Sequence, residues 1–367
     1  MKHSLITIAV MLAAAVCGRA QSTRDLPQSA SVADPQDLDT YSNPVLRRDC
    51  PDPTVLDDRA RTGYFYAYST QSAKQGQMNR DNTSKDSEEI INLPVYRSTN
   101  LIDWEFVADG FAGGRPTWLD KSSIWAPDIN YVDGKYVLYY ALGIWANLFD
   151  TGSGVAVSDS PTGPFEDKGM VVGWHNMGTA NSIDPNFFRD EDGRSYLFWG
   201  SFGPWGGIWI VELEQDGLKV KEGVGKKRLG AQNLEGAYIH KRGEWYYLFA
   251  SKGTCCEEEK STYRIVVGRS KTIGGPYRDP KGHKMTSLSY DYTILRAPDD
   301  KTFVGTGHDS QIVTDNAGQD WMFYHSYWAG SQYHGRLLNL DRICWTEDGW
   351  PYFENGTPST VSKRPQL

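Results

Sequence analysis

Basic clusters are missing from this chain. Lysine and arginine together number 38 against 46 aspartates and glutamates, a formal balance of −8. With no basic tract, nucleic acid and anionic membrane are disfavoured as partners. The acidic balance also argues against a strongly acidic polymer such as polygalacturonate as the main substrate. Long apolar runs are absent too. Leu5 to Val16, behind Met1-Lys2-His3, is too short to span a bilayer and reads as the core of a secretory signal peptide over residues 1–20. The expected destination is secreted or periplasmic, with a lipid anchor on Cys17 as the minor alternative. Residues 21–40 are polar and read as a flexible lead-in. Residues 41–367 carry no Pro/Ser-rich linker and read as one domain. Cysteine is scarce: after processing only Cys50, Cys255, Cys256 and Cys344 remain. Four cysteines allow three pairings, the adjacent pair could close only a strained ring, and buried thiols compete on equal terms. No Cys/His spacing of the zinc type occurs. Helical periodicity is nearly absent, which leaves an all-β fold.

What the chain has is repetition. Asp184-Pro185-Asn186-Phe187-Phe188 passes a Gly-containing turn at Asp192-Gly193 and returns as Tyr196-Leu197-Phe198-Trp199. The same unit, an acid or histidine before a short strand and an aromatic strand after a turn, starts at Asp52, Asp128, Glu235 and His308. Further strands follow, as at Gly154 to Ser158 and after the Gly163-Pro164-Phe165 and Gly275-Pro276-Tyr277 turns. Five units of four short strands predict a five-bladed β-propeller with a central active-site funnel. Unit starts lie farther apart than in compact blades, so loops project between strands; the polar stretch from Gln71 to Asn92 is one.

In a propeller the first strand of every blade lines the central channel. Asp52, Asp128, Asp184, Glu235 and His308 are therefore predicted to converge. Carboxylates crowded around one funnel shift each other's pKa, a cost that folding alone does not require. Aromatics are abundant, with 13 Trp and 21 Tyr. Most alternate along strands as core, while Trp118, Trp125, Trp145, Phe202, Trp205 and Trp328 sit where strands give way to loops. Exposed rings there could cover the flat C–H faces of sugars.

At Cys50-Pro51-Asp52-Pro53-Thr54, Trp125-Ala126-Pro127-Asp128, Ser182-Ile183-Asp184-Pro185 and Glu235-Gly236-Ala237-Tyr238 the sequence resembles glycoside hydrolase family 43. Gly253-Thr254-Cys255-Cys256, Ser261-Thr262-Tyr263, Gly307-His308, Arg336-Leu337 and Trp350-Pro351 are similar to its arabinanase branch. The resemblance implies that Asp52 is a general base, Glu235 a general acid and Asp184 the carboxylate that orients and tunes the acid. It implies sugar contacts at Asn181, Ser201, Phe202 and Trp125, and His308 beside one calcium ion at the propeller centre. Calcium prefers oxygen, so water must fill much of that ion's shell. No organic cofactor is implied, and the chain is expected to act as a monomer on plant cell-wall arabinan or its oligosaccharides.

The residues fit that chemistry independently. Inverting hydrolysis needs one acid to protonate the leaving oxygen and one carboxylate to activate water on the opposite face. Asp52 and Glu235 belong to different blades, across a channel from one another. The expected activity is cleavage of α-1,5-L-arabinofuranosidic links, endo-acting by preference. The 71–92 insertion and the lengthened Ser201–Trp205 segment leave exo action open, as an α-L-arabinofuranosidase, exo-arabinanase or β-xylosidase. A non-catalytic glycan-binding propeller is the alternative of another class, and retention of three carboxylates argues against it.

Overall fold

The computed structural model describes residues 39–73 and 90–367. The signal peptide, Cys17, nearly all of the lead-in and most of the Gln71–Asn92 insertion lie outside the described residues. Among those described, helix is confined to two four-residue turns and two 3₁₀ turns. The rest is built on five antiparallel sheets. Blade one is Thr54–Asp57, Phe65–Tyr68, Pro94–Ser98 and Glu105–Asp109; blade two is Ser123–Val132, Lys135–Gly143, Gly152–Ser158 and Glu166–Gly173. Blade three is Asn186–Arg189, Ser195–Trp199, Trp209–Leu213 and Lys227–Arg228; blade four is Glu235–Arg242, Trp245–Lys252, Arg264–Ser270 and Thr293–Leu295. In blade five, Phe303–Gly307 and Ile312–Thr314 both pair with Asp320–Trp328, which is followed by Leu337–Trp345 and Pro351–Phe353. The hairpin at Asp133-Gly134 shows why the turns hold: both residues are at positive φ (49° and 87°), as a two-residue turn matched to strand twist demands.

Strand alternation explains the aromatic content, because every middle strand is buried on both faces. In Lys135–Gly143, Tyr136, Leu138 and Tyr140 pack with Tyr66, Tyr68 and Val95 of blade one. Val137 and Tyr139 of the same strand pack with Phe187, Leu197 and Trp199 of blade three. Equivalent layers fill the other three gaps between blades. The ring is closed by the chain's ends. Thr40–Ser42 pairs with Val361–Lys363, and the Asn43 side chain donates to the carbonyls of Leu340 (2.9 Å) and Ser359 (3.0 Å) while accepting from the Leu340 N–H (2.9 Å).

The inner strands correct one expectation from the repeat. A residue at positive φ sits at or near the head of each of them, in blade two at a register break inside Ser123–Val132: Asp52 (52°), Ala126 (43°), Asp184 (55°), Gly236 (56°) and His308 (51°). Asp and His are among the side chains that tolerate this conformation. Asp128 is thus two residues past the channel-mouth position it was expected to share with Asp52, Asp184 and His308. Glu235 is one residue before it. Two residues past that head, Thr54, Asp128, Asn186, Tyr238 and Ser310 form a ring of their own. Each accepts a backbone N–H from the next blade: Ile129 to Thr54 (3.4 Å), Phe187 to Asp128 (2.8 Å), Ile239 to Asn186 (3.0 Å), Ile312 to Tyr238 (3.0 Å) and Val55 to Ser310 (2.8 Å).

Asp128 is therefore a strut between blades. Its carboxylate also accepts from the amides of Asn186 (3.0 Å) and Gln311 (3.0 Å). Burial pushes its pKa up to about 7, although the Phe187 N–H and the Asn130 and Asn186 amides pull it down. Asp128→Ala strands several buried donors, and each unsatisfied group costs about 1–3 kcal/mol. The expected result is a clearly lower midpoint in equilibrium urea denaturation. An unchanged midpoint would show that the ring does not hold the blades.

Candidate active site

The heads of the inner strands bring Asp52, Asp184, Glu235 and His308 to one mouth of the channel, each of them buried. Side chains from the second strands, or just past them, reach across to the next blade. The Thr70 hydroxyl accepts from the Ala126 N–H (2.8 Å), the Ser251 hydroxyl from the His308 N–H (2.8 Å) and His325 Nδ1 from the Asp52 N–H (3.0 Å). Ser201, from the corresponding place in blade three, donates to Glu235 Oε2. The opposite mouth holds a cavity of about 570 Å³ bordered by Arg189 and Lys241 and containing none of the three carboxylates.

Asp52 is held as an anion. Arg336 Nη1 lies 2.8 Å from its Oδ1, and the Thr70 hydroxyl donates to its Oδ2 at 2.6 Å. His308 and His325 place their Nδ1 atoms 3.3 and 3.5 Å from Oδ1. Burial alone would push this carboxyl up. The Arg336 guanidinium, then the two imidazoles and Thr70, outweigh it and hold Asp52 well below the usual carboxylate range. Burial lowers the pKa of both histidines, and the N–H that His325 Nδ1 accepts agrees with a neutral ring. Arg336 is thus the lasting countercharge. The backbone of Arg336 is fixed by Asp49, whose Oδ1 accepts from the Arg336 main-chain N–H at 2.9 Å.

Glu235 and Asp184 behave in the opposite way. Burial pushes Glu235 up to about 7, with the Asp52 charge adding to it; the hydroxyls of Ser201 and Tyr263 (2.7 Å to Oε1) pull it down. Asp184 is raised well above the usual range by burial, then by the charges of Glu235 and Asp52. Its Oδ2 accepts the Gly236 N–H at 3.0 Å, which ties it to the residue following the acid. Asp52 alone takes the Arg336 guanidinium at hydrogen-bond distance, so Asp52 ionises first and the Asp184–Glu235 pair retains a proton towards neutrality. The pair titrates as a unit.

The other expected contacts fall in two places. Asn181 donates through its side chain to the Phe202 carbonyl (3.3 Å), so Asn181, Ser201 and Phe202 form one stretch of rim beside Glu235. Trp125 is buried with Ala126, Ala141 and Ile183, its indole N–H without a partner. A side chain on Gly143 would strike its ring at 1.9 Å. Trp118 donates to the Tyr140 hydroxyl (2.9 Å) and serves packing. Arg336, His325, Thr70, Tyr263 and Asp49 were not assigned from sequence. Arg336 and Tyr263 fall within the arabinanase-like segments Arg336-Leu337 and Ser261-Thr262-Tyr263, but no spacing rule connects them to the repeat. Cys255 and Cys256 are joined as a disulfide, one of the alternatives the sequence leaves open, and Cys50 is a buried free thiol. The described residues hold no group of three or more His, Cys, Asp or Glu placed to bind a metal. Calcium takes six to eight oxygens, so an ion beside His308 would be held chiefly by water.

A carboxylate fixed as an anion and a buried acid that keeps its proton, facing one propeller mouth, are the parts of an acid–base hydrolase. The family model for glycosyl hydrolases family 43 matches residues 41–351, and the chain belongs to that family. It is 32% identical over 298 residues to an extracellular exo-α-(1→5)-L-arabinofuranosidase of Cellvibrio japonicus, covering 74% of this chain and 83% of that one. An extracellular endo-α-(1→5)-L-arabinanase of Bacillus subtilis is 34% identical over 270 residues, covering 71% and 80%. Among solved structures, a Cellvibrio cellulosa α-L-arabinanase complexed with arabinohexaose superposes with a TM-score of 0.69 at 28% identity, covering 84% of this chain and 96% of that one. No helix among the described residues is long and apolar enough to cross a membrane.

Proposed function

We propose that the protein hydrolyses α-1,5-linked L-arabinan with inversion, with Asp52 as general base and Glu235 as general acid. Asp184 holds the acid's charge state and position. The observation that carries this reading is the division of charge at one mouth: Arg336 keeps Asp52 ionised while burial keeps a proton on the Asp184–Glu235 pair. The arabinan substrate is supported by relatives named for it on both the sequence and the structural side.

Endo action is the preferred mode. Exo action is the second reading, because a relative named for exo cleavage matches about as well as one named for endo cleavage. Linear arabinan, branched arabinan and xylan, with products resolved by size, decide both substrate and mode. Mixed oligomers appearing early mean endo cleavage; arabinose or one short product means exo cleavage. No turnover of either arabinan would remove the proposal. The N-terminal apolar run and the extracellular relatives support secretion.

The pH profile follows from the signs of the shifts. The base must be ionised, and its pKa is depressed, so kcat/KM should hold far into the acid range. The acid must be protonated, and its pKa is raised, so activity should fall as pH rises through about 7. The free-enzyme limbs of kcat/KM report these groups. A profile that climbs steadily above pH 7 would contradict the assignment of Glu235.

The proposal includes one calcium ion at the propeller centre, resting on His308 and otherwise on water. When bound it would supply positive charge at the floor of the site. Exhaustive chelation should lower Tm and added calcium should restore it. Indifference to both would remove the ion.

A further inference from the structure

Three aromatic side chains form an exposed cluster that neither blade packing nor the acid–base site uses. Phe149 and Trp174 meet edge to face with ring centroids 4.8 Å apart, and Trp205 lies 6.1 Å from Trp174 and 6.3 Å from Phe149. Trp205 is 61% exposed and Phe149 41%. Rings recruited only for packing would be covered. An uncovered apolar patch of this kind marks a binding surface.

Its position says what it binds. The loop that carries Trp205 starts at Ser201, the residue that donates to Glu235. Four residues reach at most about 14 Å, and this loop is folded back, with the Gly207 N–H on the Ser201 carbonyl at 2.7 Å. The loop carrying Phe149 is tied to the same rim through the Asn181 N–H on the Leu148 carbonyl (2.6 Å). The patch is thus continuous with the mouth that holds the acid. Aromatic rings with only two side-chain torsions give rigid contact area at low entropic cost, and they suit the C–H faces of furanose rings. We propose that Phe149, Trp174 and Trp205 form a distal sugar-binding platform, which holds a unit of the arabinan chain remote from the bond being cleaved.

The inference rests on the proposed arabinan hydrolysis. It predicts that the platform acts only on chains long enough to reach it, and mainly through KM, because its contact is the same in the ground and transition states. The test uses the full-length enzyme with a graded series of linear arabino-oligosaccharides, arabinan and an aryl arabinofuranoside. Trp205→Ala and Phe149→Ala should each raise KM on the longest oligosaccharides and arabinan by roughly three- to tenfold. kcat should change little, and kcat/KM on the aryl substrate should stay at the wild-type value. Both residues are surface-exposed, and unchanged Tm values will confirm that the variants fold. Equal losses on long and short substrates, or no loss on either, would overturn the platform while leaving the proposed function intact. A wild-type enzyme inert on the whole series would instead reject the proposed function, and this inference with it.

Discussion

Glu235→Ala is expected to lose roughly 10²–10⁴-fold in kcat on arabinan, the usual contribution of general acid catalysis. The loss should be far smaller on an aryl arabinofuranoside with a very good leaving group. An arabinose hydroxyl leaves poorly unless it is protonated, whereas a nitrophenolate-type group departs with little help. The structure makes Glu235 the natural donor, since burial pushes its pKa up to about 7 while Ser201 and Tyr263 fix both oxygens. Truncation also removes one of three crowded acids, so the fold should survive and Tm should not fall. Equal losses on both substrates would mean that Glu235 does something other than protonate the leaving oxygen.

Asp52→Ala should be at least as damaging, and it should not distinguish the two substrates. The attacking water needs a base whatever the leaving group is. Arg336 lies 2.8 Å from Asp52 and is buried beside it, so removal of the carboxylate leaves a buried cation without its main partner. Losing one member of a buried ion pair costs about 3–5 kcal/mol; a lower Tm is therefore expected alongside the lost rate. Asp52→Asn keeps the shape and separates the two effects: its rate should remain low while more of the stability returns. Azide needs no deprotonation, so it should restore turnover of the aryl substrate by Asp52→Ala. Failure of azide, together with near-normal activity of Asp52→Asn, would take the role of base away from Asp52.

Much of this was legible in the sequence because a propeller repeats its local chemistry. The Asp-Pro heads at Asp52 and Asp184, the Gly-containing turns and the aromatic return strands mark the inner hairpins of all five blades. They misplace Asp128 because a spacing rule cannot see which residue turns to positive φ. Ala126 makes that turn in blade two and shifts the carboxylate two residues into the interblade ring. Glu235 shows the same limit, since the glycine after it takes the bend. Arg336 was hidden for another reason. It contacts Asp52 across 284 residues, a proximity that only the closed ring creates. The closure itself, by Thr40–Ser42 against Val361–Lys363, involves short edge strands with little pattern of their own. The platform rings sit on two loops and a single helical turn (Trp174–Met177), where sequence marks them as aromatic but cannot show them uncovered.

Proton NMR of the first product from linear arabinan, recorded before mutarotation, tests the division of labour between Asp52 and Glu235 most directly. With the base and acid on opposite sides of the bond, water enters on the face away from the leaving oxygen. The β-anomer of the newly formed reducing end should therefore appear first and then decay towards equilibrium with the α-anomer. Initial release of the α-anomer would mean a retaining, two-step reaction. It would contradict the pairing of Asp52 and Glu235 as base and acid across one water.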